Sequence, residues 1–233
     1  MIEELDDEAI VALNDKEPEQ EVIEHVDLTE DEMKEVTDKR RKEEENLSEE
    51  EIKSLYDEAI EEKSKGNELF GQQQYSEAIV KYNKCIEICP LKFVKEHSIF
   101  HGNISACYIK LEKFDKAITS ADKAYELDPE NLKFLERRGF ARKNKKGDAL
   151  EPAIEDYKLL IEKTTDDKLK CGYALKIKEI EELIKERNEK LKDDLINGLK
   201  KFGDICLKPF GLSTNNFELK QNEEGGYSIN MKQ

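Results

Sequence analysis

Five donor-bearing side chains, Lys63, Asn67, Asn103, Lys133 and Arg137, offer the clearest chemistry in this sequence. Three are cations and two are amides. Together they suit an acceptor dense in negative charge, above all two carboxylates set close together. Lys63 and Asn67 stand four apart, as do Lys133 and Arg137. On a helix that spacing places both members of a pair on one face. Asparagine donates without adding charge, so it can approach a carboxylate already paired with lysine. The bland alternative is a solvated face, since lysine is abundant here. What separates the five from that background is the register they share with a repeat.

The elements that must position them show as internal self-similarity. Residues 59–90 align without gaps with 98–129. Gly66 meets Ser105, Leu69 meets Tyr108, Tyr75 meets Phe114, Ala78 meets Ala117, and Pro90 meets Pro129. The offset of 39 corresponds to a 34-residue unit with an insertion of five near 91–97. A third copy begins at 132, with Gly139 in the place of Gly66. It needs two inserted residues near 146–150 before Ala153, Tyr157 and Leu160 fall into line. Each copy reads as two antiparallel helices. Small residues mark the close crossing, Tyr75 and Phe114 open the second helix, and Pro90 and Pro129 stop it, because proline lacks a donor and clashes with the preceding turn. Stacked first helices line a concave surface, which brings the five donors into one groove.

This pattern resembles the tetratricopeptide repeat, with copies at about 59–92, 98–131 and 132–165. The fold it implies is all-α, a tetratricopeptide-repeat α-solenoid of three helical hairpins over 48–164. Ser48 and Glu51 have capping-box spacing and start the first helix near 49. Apolar residues recur from Leu169 through Tyr173, Ile177, Ile180, Ile184, Leu191, Leu195 and Leu199 to Phe202, which predicts a long capping helix over 166–203, interrupted near Asn197-Gly198. In the C-terminal segment, 204–233, Phe217/Leu219 and Tyr227/Ile229/Met231 alternate around Gly225-Gly226, the signature of a short hairpin.

Charge divides the chain. Residues 1–50 hold 21 acidic and 6 basic side chains against a whole-chain net charge of −16, so the remainder is almost neutral. Residues 1–47 lack the apolar surface to offset ordering entropy and read as an acidic disordered tail. A transient helix fits after Thr29, where Thr29 and Glu32 have capping-box spacing. A solvated tail is favoured over one docked in its own groove. Such acidity argues against nucleic acid or an anionic membrane as partner. No apolar run reaches the ~18–20 residues of a membrane span, and the first residues lack the basic and apolar regions of a signal peptide. Five cysteines, an odd number, predict reduced thiols and a cytoplasmic protein. Capping at both ends predicts a monomer.

With the repeat in place, the five donors resemble the dicarboxylate clamp of tetratricopeptide-repeat co-chaperones and adaptors. The resemblance implies that Lys63, Asn67 and Asn103 hold a C-terminal α-carboxylate and that Lys133 takes the last Asp side chain. Arg137 would hold the peptide backbone or a nearby acidic side chain. The ligand implied is the Glu-Glu-Val-Asp terminus of Hsp70 or Hsp90 chaperones, with a second protein partner left unidentified. The layout is similar to one adaptor family of this kind, through Pro209-Phe210-Gly211-Leu212-Ser213-Thr214, Asn216-Phe217 and Tyr227-Ser228-Ile229-Asn230. It departs from that family in the third repeat, through the insertion and the basic stretch 142–147. The rival reading is a signalling scaffold that binds an internal segment and needs no free terminus. Cys85, Cys89, His97 and His101 invite a zinc reading, but the gap between the pairs is short for a finger. No histidine sits in the sequence context of a nucleophile, and no glycine-rich phosphate loop is present. The expectation is a binding protein with no enzyme activity, metal or cofactor.

Overall fold

The computed structural model describes residues 30–221 and 227–231. The chain divides into two units, Met1–Ile52 and Lys53–Gln233. In the first, helix α1 (Glu30–Glu44) occupies part of the acidic segment that composition assigns to disorder. Residues 1–29 of that segment, with Thr29 itself, lie outside the described residues. Ion pairs at helical spacing brace α1: Arg40 Nε lies 2.8 Å from Glu44 Oε1, and Arg41 Nη1 lies 3.0 Å from Asp38 Oδ1. The capping box closes as its spacing predicts. Ser48 N donates to Glu51 Oε2 at 2.8 Å, and Glu51 N donates to Ser48 Oγ at 3.3 Å.

Three helical hairpins follow. They pair α2 (Glu49–Gly71) with α3 (Tyr75–Ile88), α4 (Val94–Lys110) with α5 (Phe114–Leu127), and α6 (Leu132–Lys145) with α7 (Leu150–Lys163). The repeat is visible in backbone detail. Gln73 and Glu112 occupy equivalent turn positions, and both adopt positive φ, 65° and 56°. The next amide in each turn bonds back to the first helix, Gln74 N to Leu69 O and Lys113 N to Tyr108 O, both at 2.9 Å. The third turn starts with Lys146 at φ 63° and then absorbs its two extra residues in a 3₁₀ turn, Gly147–Ala149. The insertion before the second repeat is absorbed differently. It adds an N-terminal turn to α4, which starts at Val94 and so brings Glu96 and His97 into the helix.

Small residues let the paired helices approach. A Cβ on Gly66 would stand 2.8 Å from Tyr82 Cε1, and Ser105 Oγ donates to Ala117 O across its hairpin at 2.8 Å. Ala78, Ala117 and Ala153 are fully buried. The helix α8 (Asp167–Leu207) is unbroken, contrary to the interruption expected at Asn197-Gly198. A lone glycine lowers helix stability by only about 1 kcal/mol, and the strong helix formers around it carry the helix through. Its N-terminal half closes the third hairpin, where Tyr173 and Ile180 join Tyr157 and Leu160 in one buried cluster. The chain ends in two 3₁₀ turns and a hairpin that pairs β1 (Phe217–Gln221) antiparallel with β2 (Tyr227–Met231). The architecture is an all-α solenoid of tetratricopeptide type with this small appendage. Among the described residues, no helix is long and apolar enough to cross a membrane.

Candidate functional site

The five donors lie on the first helices of the three hairpins: Lys63 and Asn67 on α2, Asn103 on α4, Lys133 and Arg137 on α6. Their surroundings differ. Lys63 is half-buried, and its Nζ lies 3.5 Å from Glu96 Oε2, in the extra turn of α4. Asn67 accepts a hydrogen bond through Oδ1 from the Tyr82 hydroxyl at 2.8 Å. That bond fixes which way the amide points: its NH₂ group is turned away from Tyr82 and can donate to a ligand. Arg137 is half-buried, and its Nη1 donates to Gly102 O at 2.5 Å. Burial pulls the guanidinium pKa down from its ordinary value, while the nearby Cys107 and Tyr82 oppose that fall. Asn103 is half-buried beside Gly102, whose carbonyl Arg137 holds. Lys133 is exposed on the first turn of α6 and pairs with no carboxylate among the described residues.

Two links therefore draw the donors together. Tyr82 reaches Asn67 through its hydroxyl and lies close enough to Arg137 to feel its charge. The Arg137–Gly102 bond ties α6 to α4 next to Asn103. Gly102 is required at that crossing, because a Cβ there would stand 2.2 Å from Phe134 Cε1 and 3.1 Å from Arg137 Nη1. An alanine would collide with the ring and displace the arginine. Burial raises the Tyr82 hydroxyl to about 12, so it stays protonated and remains the donor to Asn67 at physiological pH.

Buried carboxylates brace the outer hairpins. Glu62, one residue before Lys63, is buried and receives Lys65 at 3.0 Å and both Lys81 and Lys84 at 3.2 Å. Lys65 leads, with Lys81 and Lys84 behind it, in holding the Glu62 carboxyl down to about 2 against the opposing effect of burial. In the third hairpin, buried Asp156 of α7 lies 2.7 Å from Arg138 Nη2 and 2.8 Å from Arg142 Nη1. Arg138 also reaches Asp122 of α5 at 2.7 Å, which links the second and third hairpins.

Sequence reasoning missed Tyr82, Glu96 and Gly102 as direct contacts of the candidate donors. Tyr82 lies in a second-helix interior, where an aromatic reads as core. Glu96 belongs to the insertion, where the repeat register gives no guidance. Only the alignment of Gly102 with Lys63 across the repeats hinted at its place. The cysteine–histidine set has other partners: Cys85 Sγ donates to Ala59 O at 3.3 Å, and His97 Nε2 lies 3.0 Å from Cys89 O.

A tetratricopeptide repeat family model matches residues 100–131, most of α4 with all of α5. Several solved structures are similar to this chain. The first TPR of Spaghetti (RPAP3) bound to the HSP90 peptide SRMEEVD shares 27% identity over 55% of this chain and 94% of that one, with a TM-score of 0.48. The Sgt2 TPR domain from Aspergillus fumigatus shares 28% identity over 57% of this chain and 82% of its own, at 0.46. The N-terminal domain of stress-induced protein-1 (STI-1) from C. elegans shares 28% identity over 55% and 97%, at 0.45.

Proposed function

We propose that this protein is a cytoplasmic co-chaperone or adaptor that binds the free C-terminus of an acidic peptide, as found on Hsp70 and Hsp90, in the groove of α2, α4 and α6. The observation that carries the reading is the placement of all five donors on the first helices, with Asn67 oriented by Tyr82 and Arg137 anchored beside Asn103. It acts by binding and not by catalysis, and its acidity argues against nucleic acid as the main partner. The order of segments also resembles tetratricopeptide repeat protein 1, through the closing Pro209–Thr214 stretch.

A terminal Asp presents two carboxylates within a few ångströms. Lys133 meets one without an internal competitor, while the Asn67 and Asn103 amides add neutral donors. Hydrogen bonds to a charged group contribute about 1.5–3 kcal/mol each. An affinity near micromolar, roughly −8 kcal/mol, is expected for so short a ligand. Calorimetric titration with the peptide SRMEEVD, beside the same peptide as a C-terminal amide, tests this. Binding that amidation abolishes supports the clamp. Equal binding of the two would overturn it.

One observation favours the scaffold reading instead. Glu96 already pairs with Lys63, so the groove offers one unopposed lysine where the clamp reading calls for two. An internal segment with a single acidic side chain would fit that state. In that case the amide binds as well as the free acid, and Lys133→Ala weakens both alike.

A further inference from the structure

The C-terminal half of α8 leaves an apolar stripe in solvent. Leu191, Leu195, Phe202 and Ile205 are 58%, 64%, 67% and 70% exposed. A helix that runs on past its own core with such a stripe lacks the tertiary packing that normally stabilises an amphipathic helix. Among the described residues, the protein's own closing segment does not cover it. Thr214 packs on a different face, where its N and Oγ1 donate to Asp204 Oδ1 at 2.5 and 2.8 Å, and where a Cβ on Gly203 would come within 2.6 Å of Thr214 Cγ2.

The stripe follows a seven-residue repeat. Leu191, Gly198 and Ile205 form one series, Asn188, Leu195 and Phe202 form the interleaved one, and Leu199, 61% exposed, flanks the seam. These are the two seam positions of a coiled coil. Gly203 and Asp204 fall at outer positions of that heptad, so Thr214 sits on the back of the helix, away from the seam. The flanking charges choose between orientations. A parallel pair would set Asp194 against Leu199 and Lys201 against Cys206 of the second copy, leaving both charges unanswered. An antiparallel pair centred between Ile196 and Asn197 sets Asp194 opposite Lys201 twice, once on each side of the symmetry axis. The same register packs Leu191 against Phe202, and Leu195 into the space left by Gly198. Arg187 is drawn out of the seam by its bonds to Glu151 and to Gly147 O.

From these observations we infer that the C-terminal half of α8 is a homodimerisation surface, occupied by a second copy of this chain as an antiparallel helix pair. The ligand groove plays no part in it. The inference replaces the monomer expected from capped ends, because the cap itself carries the seam.

Sedimentation equilibrium of the full chain under reducing conditions tests this. A dimer with a Kd on the order of 10 μM is expected, since about two and a half heptads make an interface at the small end of specific ones. Leu195→Asp places a charge in the seam of both copies and should weaken the dimer about 100-fold or more, with helicity retained because the residue is exposed. Asp194→Lys should weaken it about tenfold, and Asp194→Lys combined with Lys201→Asp should restore it to within about threefold of wild type. A wild-type chain that stays monomeric to about 200 μM overturns the proposal, as does a dimer indifferent to Leu195→Asp. Failure of the charge swap to restore association overturns the antiparallel register.

Discussion

The first and third hairpins carry the same kinds of groups and hold them differently. In the first, the groove lysine, Lys63, is half-buried and answered by Glu96 at 3.5 Å. In the third, Lys133 is exposed and has no carboxylate partner among the described residues. The bracing carboxylates differ in the opposite sense. Glu62 takes its lysines from a partly solvated rim, whereas Asp156 takes two arginines at 2.7 and 2.8 Å in a nearly closed site. The third hairpin thus braces its first helix from behind, and its Lys133 has no carboxylate partner among the described residues. The first spends its groove cation on an internal partner. A carboxylate ligand would engage the α6 end without competition and meet a competitor at the α2 end.

The largest effect should come from breaking the third brace. Asp156→Ala takes the buried acceptor from two half-buried guanidinium groups and leaves them to share Asp122, and removing one partner of a buried pair costs about 3–5 kcal/mol. Thermal denaturation should show a much lower midpoint for Asp156→Ala than for Glu62→Ala, whose lysines can turn to water. Similar losses would erase the distinction between the two braces.

Ligand binding should show the reverse asymmetry. Lys133→Ala should weaken binding of the free-acid peptide tenfold or more, from about 1.5–3 kcal/mol for a bond to charge, and Lys63→Ala by a smaller factor. Titration of both variants decides it, and an equal loss would mean that Glu96 releases Lys63 without penalty. Next in size is Glu96→Gln. It removes the competing charge and should tighten binding by about threefold, in line with a partly exposed ion pair worth under 1 kcal/mol. Weaker binding would show instead that Glu96 positions Lys63 for the ligand.

A further effect shows only in acid. The Glu62 carboxyl is held down to about 2 from an ordinary 4.5, first by Lys65. A depressed carboxylate contributes stability that is fully present above the unfolded value and is lost as pH falls. Chemical denaturation between pH 4.5 and 2 should therefore show a decline in wild type that is reduced in Glu62→Gln. Parallel curves would remove Glu62 from the acid response.

By itself, the sequence determined the repeat and the places of the five donors. Gly66, Ala78, Tyr75 and Pro90 each answer a local demand for a close crossing, a wedge or a stop, and such demands recur at fixed spacing. Helical periodicity then placed Lys63 with Asn67, and Lys133 with Arg137, on shared faces. Only the tertiary structure decided what each donor touches. The Lys63–Glu96, Asn67–Tyr82 and Arg137–Gly102 pairings span 15 residues or more and cross from helix to helix. The insertion that carries Glu96 breaks the register from which such pairings might be read. The long stripe of α8 shows the same division. Its period was plain from Leu169 to Phe202, but where the third hairpin runs out decides which half is buried. Periodicity records a helix's apolar face, whereas burial depends on whether another element lies against it.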